Sequence, residues 1–340
     1  MQAQYLQKSQ KFFNLTIVNQ IKSDIFAVLL GVLGTCGSAE IIPYEPDMYN
    51  DSAGKRYGIH CFIGLDRAVF SGLYNICKTM KTTIPSDVLS AAVAAVRTQS
   101  PLVHNITNYV VMNNTANALL AIGASPVMAH WVSEMEEMTA IAGALVINIG
   151  TLDDKWIDGM LAAGNAAMRR QIPVILDPVG AGATSQRTAA AMKIIEQCHP
   201  AVIRGNASEI MALVDASVKS KGVDSSATSD DALESAKRLA ADTGAVVVIS
   251  GETDYITDGT DVHTVEGGSP IMTSVTGMGC TSTAVVGAFA AVVKDPMTAA
   301  AAAMAVMSLA GERAAEYSRG NGSMQVNFLD ELYNLTSEIL

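Results

Sequence analysis

The sequence predicts an α/β protein built on a doubly wound, mostly parallel sheet with helices on both faces. Three observations carry that reading. From Met80 onward, short apolar runs alternate with longer helix-patterned segments. The runs are continuously apolar, as expected of strands covered on both sides. Polar, charged and glycine residues recur just past the carboxyl ends of these runs, where open sheets of this kind bind ligands.

In order, Ser86–Thr98 reads as an Ala/Val-rich helix, Leu102–Ile106 as a strand and Tyr109–Ile122 as a helix closed by Gly123. Pro126–Ala129 is a short strand, and Ser133–Ala142 a helix opened by the capping-box pattern Ser133-x-x-Glu136. Ala144–Ile149 (strand), Lys155–Arg170 (helix), Val174–Leu176 (strand) and Ser185–Cys198 (helix) follow. Then come the strand Ala201–Ile203, the helix Ala207–Val214, a polar loop over 215–229, a helix to Thr243 and the strand Ala245–Ile249. The Asp258-Gly259 pair predicts an antiparallel hairpin after Tyr255. The last third is helical, over Thr281–Val293, Met297–Arg319 and Phe328–Leu340.

Composition sets limits. In 340 residues 49% are apolar, enough for a sizeable core without disulfides or metals. The net charge of −11 argues against a nucleic-acid partner and offers no basic membrane patch. Five cysteines follow no paired spacing, which suits a reduced, cytoplasmic compartment. Of the five histidines, His104, His130, His199 and His263 lie far apart with no zinc-ligand spacing.

Composition also changes near Met80. Residues 1–79 hold 7 Lys/Arg against 6 Asp/Glu, leaving 15 against 27 for the remainder. Such different populations are expected to build separate parts: an atypical leader, 1–79, and a catalytic domain, 80–340. Within the leader, Ile25–Gly37 is too short to span a membrane. It has some features of an export signal, but Asp24 abuts it and the charged segment before it is too long.

The chemistry centres on Val275-Thr-Gly-Met-Gly-Cys280-Thr, a glycine-rich turn leading into the predicted helix Thr281–Val293. Gly277, Met278, Gly279 and Cys280 are the candidate anion hole, because free N–H groups and the positive dipole end of a helix suit phosphate. A glycine turn made only for tight packing is the other explanation. At the strand ends stand Asp177, Arg204 and Ser250, with Glu209 following in the N-cap pattern Asn206-x-x-Glu209. Arg204 suits a phosphate, and the Glu209 carboxylate either caps a helix or faces a phosphate-held metal. Cys280, at a helix N-terminus, is expected to have its thiolate favoured. It would then serve as a proton acceptor or a covalent nucleophile, or simply pack the helix. Neither a P-loop nor a complete G-x-G-x-x-G is present.

Residues 80–340 resemble hydroxyethylthiazole kinases of the ribokinase-like superfamily. The matching blocks are Ser100-Pro-Leu-Val-His-Asn-Ile-Thr-Asn108, Leu119–Met128, Ala144–Leu152, Leu176-Asp-Pro-Val-Gly180, Ile203–Ile210, Ser250–Tyr255 and Thr276-Gly-Met-Gly-Cys280. The resemblance implies transfer of the γ-phosphoryl group of ATP to the alcohol of 5-(2-hydroxyethyl)-4-methylthiazole in thiamine salvage. It further implies Mg²⁺ as metal and a homotrimer with active sites between subunits. Met128 and Gly277 would contact the thiazole, Arg204 and Ser250 would contact ATP, and Asp177 and Glu209 would help hold Mg²⁺. Ser250 stands where the family often has Thr, and Cys280 where related sugar kinases have an aspartate base. The leader has no counterpart in the family, and its Ala39-Glu-Ile and Glu45-Pro-Asp can be encoded by sequence typical of a thiamine-pyrophosphate riboswitch. Translated regulatory RNA is therefore the expected origin of 1–79. The competing functions are a nicotinamide-nucleotide hydrate dehydratase, which should carry aspartate at position 280, and a non-catalytic nucleotide sensor.

Overall fold

The computed structural model describes residues 48–50, 56–58, 80–215 and 229–336. The chain divides into two compact units, Met1–Tyr74 and Asn75–Leu340. In the first, strands β1 (Met48–Asn50) and β2 (Arg56–Gly58) pair antiparallel. The apolar stretch Ile25–Gly37 and most of the polar loop after Asp215 lie outside the described residues.

The second unit is built on one sheet of nine described strands. They are β3 (Lys81–Thr82), β4 (Leu102–Ile106), β5 (Ser125–Val127), β6 (Ala144–Asn148), β7 (Val174–Asp177), β8 (Val202–Asn206), β9 (Val246–Ser250), β10 (Thr253–Thr257) and β11 (Val262–Glu266). Their order across the sheet is β3-β11-β10-β9-β8-β7-β6-β4-β5. The six from β9 to β5 run parallel. The hairpin β10–β11 and the short β3 extend them antiparallel. The predicted mostly parallel α/β sheet is the observed one.

Ten described helices connect and cover the strands. They are α1 (Ser86–Gln99), α2 (Met112–Ile122), α3 (Met135–Ile141), α4 (Asp154–Arg170), α5 (Ser185–Cys198), α6 (Ala207–Val214), α7 (Ser229–Thr243), α8 (Met278–Ala290), α9 (Pro296–Glu316) and α10 (Asn321–Asn334). Successive strand residues point to opposite faces, and both faces are apolar. Val146, Ile175, Val202 and Val248 pack under α1, α2, α8, α9 and α10. Leu145, Leu176, Ile203 and Val247 pack under α3 to α7. That two-sided burial explains why the strands read as unbroken apolar runs.

Several boundaries differ from the sequence-based expectation, each for a local reason. The Ser133/Glu136 capping box does not form. A single 3₁₀ turn, Val132–Glu134, precedes α3, whose N-terminus has no side-chain cap. Glu136 is held instead by Arg169 and Arg170 of α4, so a tertiary charge contact wins over the local cap. Helix α2 starts at Met112 rather than Tyr109, because Asn108–Val111 is a turn closed by the Val111 N–H on the Asn108 carbonyl at 3.3 Å. Helix α8 starts at Met278, three residues early, because Gly277 alone takes the left-handed turn (φ 82°). Helix α10 runs Asn321–Asn334, shifted toward the N-terminus by the Ser323 hydroxyl, which accepts from the Arg319 and Gly320 N–H groups.

The parallel strands leave β4 in two directions: the chain passes first to β5 at the edge and then back to β6 on the other side. A crevice is therefore expected where the carboxyl ends of β4 and β6 part, with the ends of β7, β8 and β9 beside it.

Candidate active site

At that crevice the side chains form one continuous hydrogen-bonded path. The Asn108 amide, just past β4, donates to the Asn148 Oδ1 of β6 at 2.9 Å and to the Cys280 sulfur at 3.5 Å. Asn148 Nδ2 donates to Asp177 Oδ2 at the end of β7 (2.9 Å). The Thr283 hydroxyl of α8 donates to the same oxygen at 2.8 Å and accepts from Arg204 Nη1 at 3.4 Å. Arg204 Nη2 completes the path, donating to the Ser250 hydroxyl at the end of β9 (2.8 Å). Asn108, Asn148, Asp177, Arg204 and Thr283 are all buried.

Helix α8 points its N-terminus into this group. A Cβ on Gly279 would lie 3.4 Å from Arg204 Nη1, so the first turn of the helix rests on the guanidinium. Gly277 cannot be replaced without cost: its φ is positive, and a Cβ would stand 2.5 Å from a Val111 methyl. Met278, Gly279 and Cys280 are half-buried, so the turn stays open to a ligand. The Gly279 and Cys280 N–H groups have no partner within the helix itself, that of Met278 donates to the Val275 carbonyl at 3.4 Å, and the cation beneath them adds to the positive potential. The Arg204 Nε also lacks a partner, leaving a buried donor.

The carboxylates are arranged differently. Glu209 accepts from the Gly180 N–H (2.8 Å) and the Asn206 N–H (2.9 Å), while Asn206 Oδ1 accepts from the Glu209 N–H. The predicted helix cap at Asn206-x-x-Glu209 is thus present, and the same carboxylate faces the loop after β7. Burial, and then the neighbouring Asp177 charge, push the Glu209 carboxyl up to about 7. Burial also raises Asp177, against the opposing pull of Arg204, Thr283 and Asn148. Burial outweighs the pull of Arg204 on both acids, and hard oxygen donors of this kind suit Mg²⁺. Among the described residues no group of three or more His, Cys, Asp or Glu could hold a metal. A pair of carboxylates does fit Mg²⁺, which keeps waters and takes phosphate oxygens for its remaining positions.

One expectation is overturned. The Cys280 thiol is not tuned toward thiolate: burial, and then the Asp177 charge, push it up to about 12. These outweigh the helix dipole, because the carboxylate lies in the same dry crevice and repels a second anion. Met128 stands apart from the group. It follows the edge strand β5, with β4, β6 and β7 between it and the Arg204 strand β8, and is half-buried. Sequence reasoning left Asn108, Asn148, Thr283, Asp254 and Arg187 without roles. The only signal was an amide at the end of one strand (Asn148) and just past another (Asn108), which any strand terminus could carry.

Sheet order, crevice and phosphate-suited helix end define a ribokinase-like protein. A solved ribokinase-like superfamily protein from Enterococcus faecalis V583 shares the fold, with a TM-score of 0.52 at 15% identity, over 75% of this chain and 96% of that one. The hydroxyethylthiazole kinase family is narrower, and its family model matches residues 93–338. This chain belongs to it. The hydroxyethylthiazole kinase of Nitratidesulfovibrio vulgaris (strain DP4) is 56% identical over 243 residues, 72% of this chain and 91% of its relative. That of Syntrophus aciditrophicus is 55% identical over 249 residues, 73% and 92%. The solved hydroxyethylthiazole kinase protein of Pyrococcus horikoshii superposes with a TM-score of 0.68 at 40% identity, over 74% of this chain and 94% of that one.

Proposed function

We propose that residues 80–340 transfer the γ-phosphoryl group of ATP to the alcohol of 5-(2-hydroxyethyl)-4-methylthiazole, and that 1–79 is not part of the catalytic protein. The observation that carries this reading is the Arg204 guanidinium lying under Gly279 at the opening of α8. That contact supplies a cation and free N–H groups at one point, as charge builds on a transferring phosphoryl group.

In this mechanism the N–H groups of Met278, Gly279 and Cys280 hold the transferred phosphate, while Arg204, braced by Ser250 and Thr283, binds the ATP phosphates. Asp177 and Glu209 would hold Mg²⁺, which would supply neutralisation of phosphate charge. Gly277 and Met128 would bound the thiazole. Cys280, protonated and receiving the Asn108 amide on its sulfur, orients the alcohol instead of removing its proton in the ground state. Positioning and charge neutralisation then supply most of the acceleration.

Assembly as a homotrimer in the cytoplasm completes the proposal. Tyr109, Val110, Leu120, Trp131, Val132 and Ile141 are exposed apolar residues in the segments flanking edge strand β5. An apolar surface beside an open edge suits a subunit contact, and Met128 lies in the same stretch. Among the described residues no helix is long and apolar enough to cross a membrane. The deciding experiment is coupled ADP release: ADP formation dependent on the thiazole alcohol, with a phosphorylated thiazole by mass spectrometry, is expected. ATP turnover indifferent to the alcohol would remove the proposal.

A further inference from the structure

Arg187 lies in the first turn of α5, the wrong end of a helix for a cation. Among the described residues it has no carboxylate within ion-pair distance. Its guanidinium donates instead to three main-chain carbonyls from two separate loops. Nη1 donates to the Ile149 carbonyl at 2.8 Å and the Val179 carbonyl at 2.9 Å; Nη2 donates to the Gly150 carbonyl at 3.0 Å. Residues 149–150 follow β6 and residues 179–180 follow β7.

Two of these carbonyls, those of Ile149 and Val179, share what lies on the other side of their peptide groups. No peptide bond in the described chain is cis, so each C=O points opposite to the N–H of the next residue. The N–H opposite the Ile149 carbonyl belongs to Gly150 and donates to Asn148 Oδ1 at 2.9 Å. The N–H opposite the Val179 carbonyl belongs to Gly180 and donates to Glu209 Oε1 at 2.8 Å. Each peptide group therefore bridges Arg187 to a side chain of the site, and a cation on the carbonyl strengthens the donor beyond it. Gly180 permits the approach, since its φ is +77° and a Cβ would come within 3.0 Å of Arg187 Cδ.

We propose that Arg187 is a positioning residue of the phosphotransfer site: through peptide groups 149–150 and 179–180 it aims Asn148 and Glu209 without touching substrate. The proposal rests on the kinase function above only for its catalytic consequence. Arg187→Met keeps the apolar stem and removes the donors. In this variant the Gly150 and Gly180 amides should exchange with deuterium about tenfold faster, because their peptide groups are released. The Mg²⁺ concentration for half-maximal activity should rise by about tenfold, as when a ligand's supporting bond is lost. The KM for the thiazole alcohol should stay within about twofold, and added guanidinium ion should recover part of the loss. Unchanged protection of both amides, or an unchanged Mg²⁺ requirement, would overturn the proposal. Should the Met variant fail to fold, Arg187→Lys keeps the charge with poorer geometry and should show both effects at smaller size; wild-type values for it count equally against the proposal. Amide exchange needs no catalysis, so a wild-type protein without alcohol-dependent ADP release would sink the function while leaving the tether to be judged.

Discussion

The Asn108 amide donates to the Cys280 sulfur at 3.5 Å, joining residues 172 positions apart in the chain. The direction of that bond is set elsewhere. Asn148 must present its oxygen to the Gly150 N–H and its nitrogen to the Asp177 carboxylate, so only the Asn108 nitrogen can face Asn148 and the sulfur. The sulfur accepts, which leaves the thiol proton free to donate to a neighbouring oxygen.

A thiol pushed up to about 12 should resist modification. Cys280 is expected to react with iodoacetamide at pH 8 far more slowly than a free cysteine in solution. Cys280→Ala should lower kcat by about 10- to 100-fold without abolishing turnover, less than the loss of an obligatory base. Steady-state rates and peptide mapping of the alkylated protein check both.

Arg204 is buried and pairs in two directions, so its replacement should be felt twice. Arg204→Met is expected to raise the ATP concentration for half-saturation by about 100-fold and to destabilise the fold by about 3 kcal/mol, because Asp177 loses its nearby cation. Ser250→Ala removes one of its partners and should cost only about 1 kcal/mol of ATP binding. Nucleotide titration and thermal melting distinguish the two.

Glu209→Gln keeps an acceptor for the Gly180 N–H but turns a donor toward the Asn206 N–H. The variant should lose the rise in melting temperature that Mg²⁺·ATP gives the wild type, together with about 100-fold or more in kcat. A shift in melting temperature equal to that of the wild type would argue that Glu209 serves the helix cap alone.

Asp254 supplies a pH test away from the carboxylate pair. Burial raises its carboxyl from 3.8 to about 6, against the Gly251 N–H and Arg204, which lower it. The folded state holds this proton more tightly than the unfolded state, so the contribution to stability is complete below pH 3.8 and is lost as pH rises toward 6. Asp254→Asn should remove that decline, gaining about 2 kcal/mol over wild type at pH 7 and little at pH 4. Urea unfolding at the two pH values reads it directly.

Gly277→Ala meets two penalties, a positive φ and the Val111 methyl. A loss of about 2 kcal/mol in stability is expected, with a fall in kcat as the first turn of α8 shifts off Arg204. Thermal melting and initial rates measure the two effects.

Much of this was legible beforehand. The expected bounds of Leu102–Ile106, Ser185–Cys198 and Ala207–Val214 match the observed elements to the residue, because local periodicity and tertiary burial agree there. The expected Ser133 cap does not form because Glu136 pairs with Arg169 and Arg170 on α4, partners that no local pattern reveals. Arg204, Asp177 and Ser250 could be listed from strand ends, since a parallel sheet places all such ends on one side, and Glu209 from its spacing in the helix-cap pattern after Asn206. Arg187 and Thr283 could not: each lies inside a helix, where nothing in the spacing tells which loop or strand end it reaches.

The chain of residues alone determined the alternation of helix and strand, the two-faced burial and the glycine that opens α8, because each depends on side chains close together in sequence. Only the folded molecule decided that the Cys280 thiol keeps its proton, that Thr283 joins Asp177 to Arg204 and that one guanidinium tethers two loops. Those outcomes depend on which distant groups share a dry crevice, and desolvation and charge act through space rather than along the backbone.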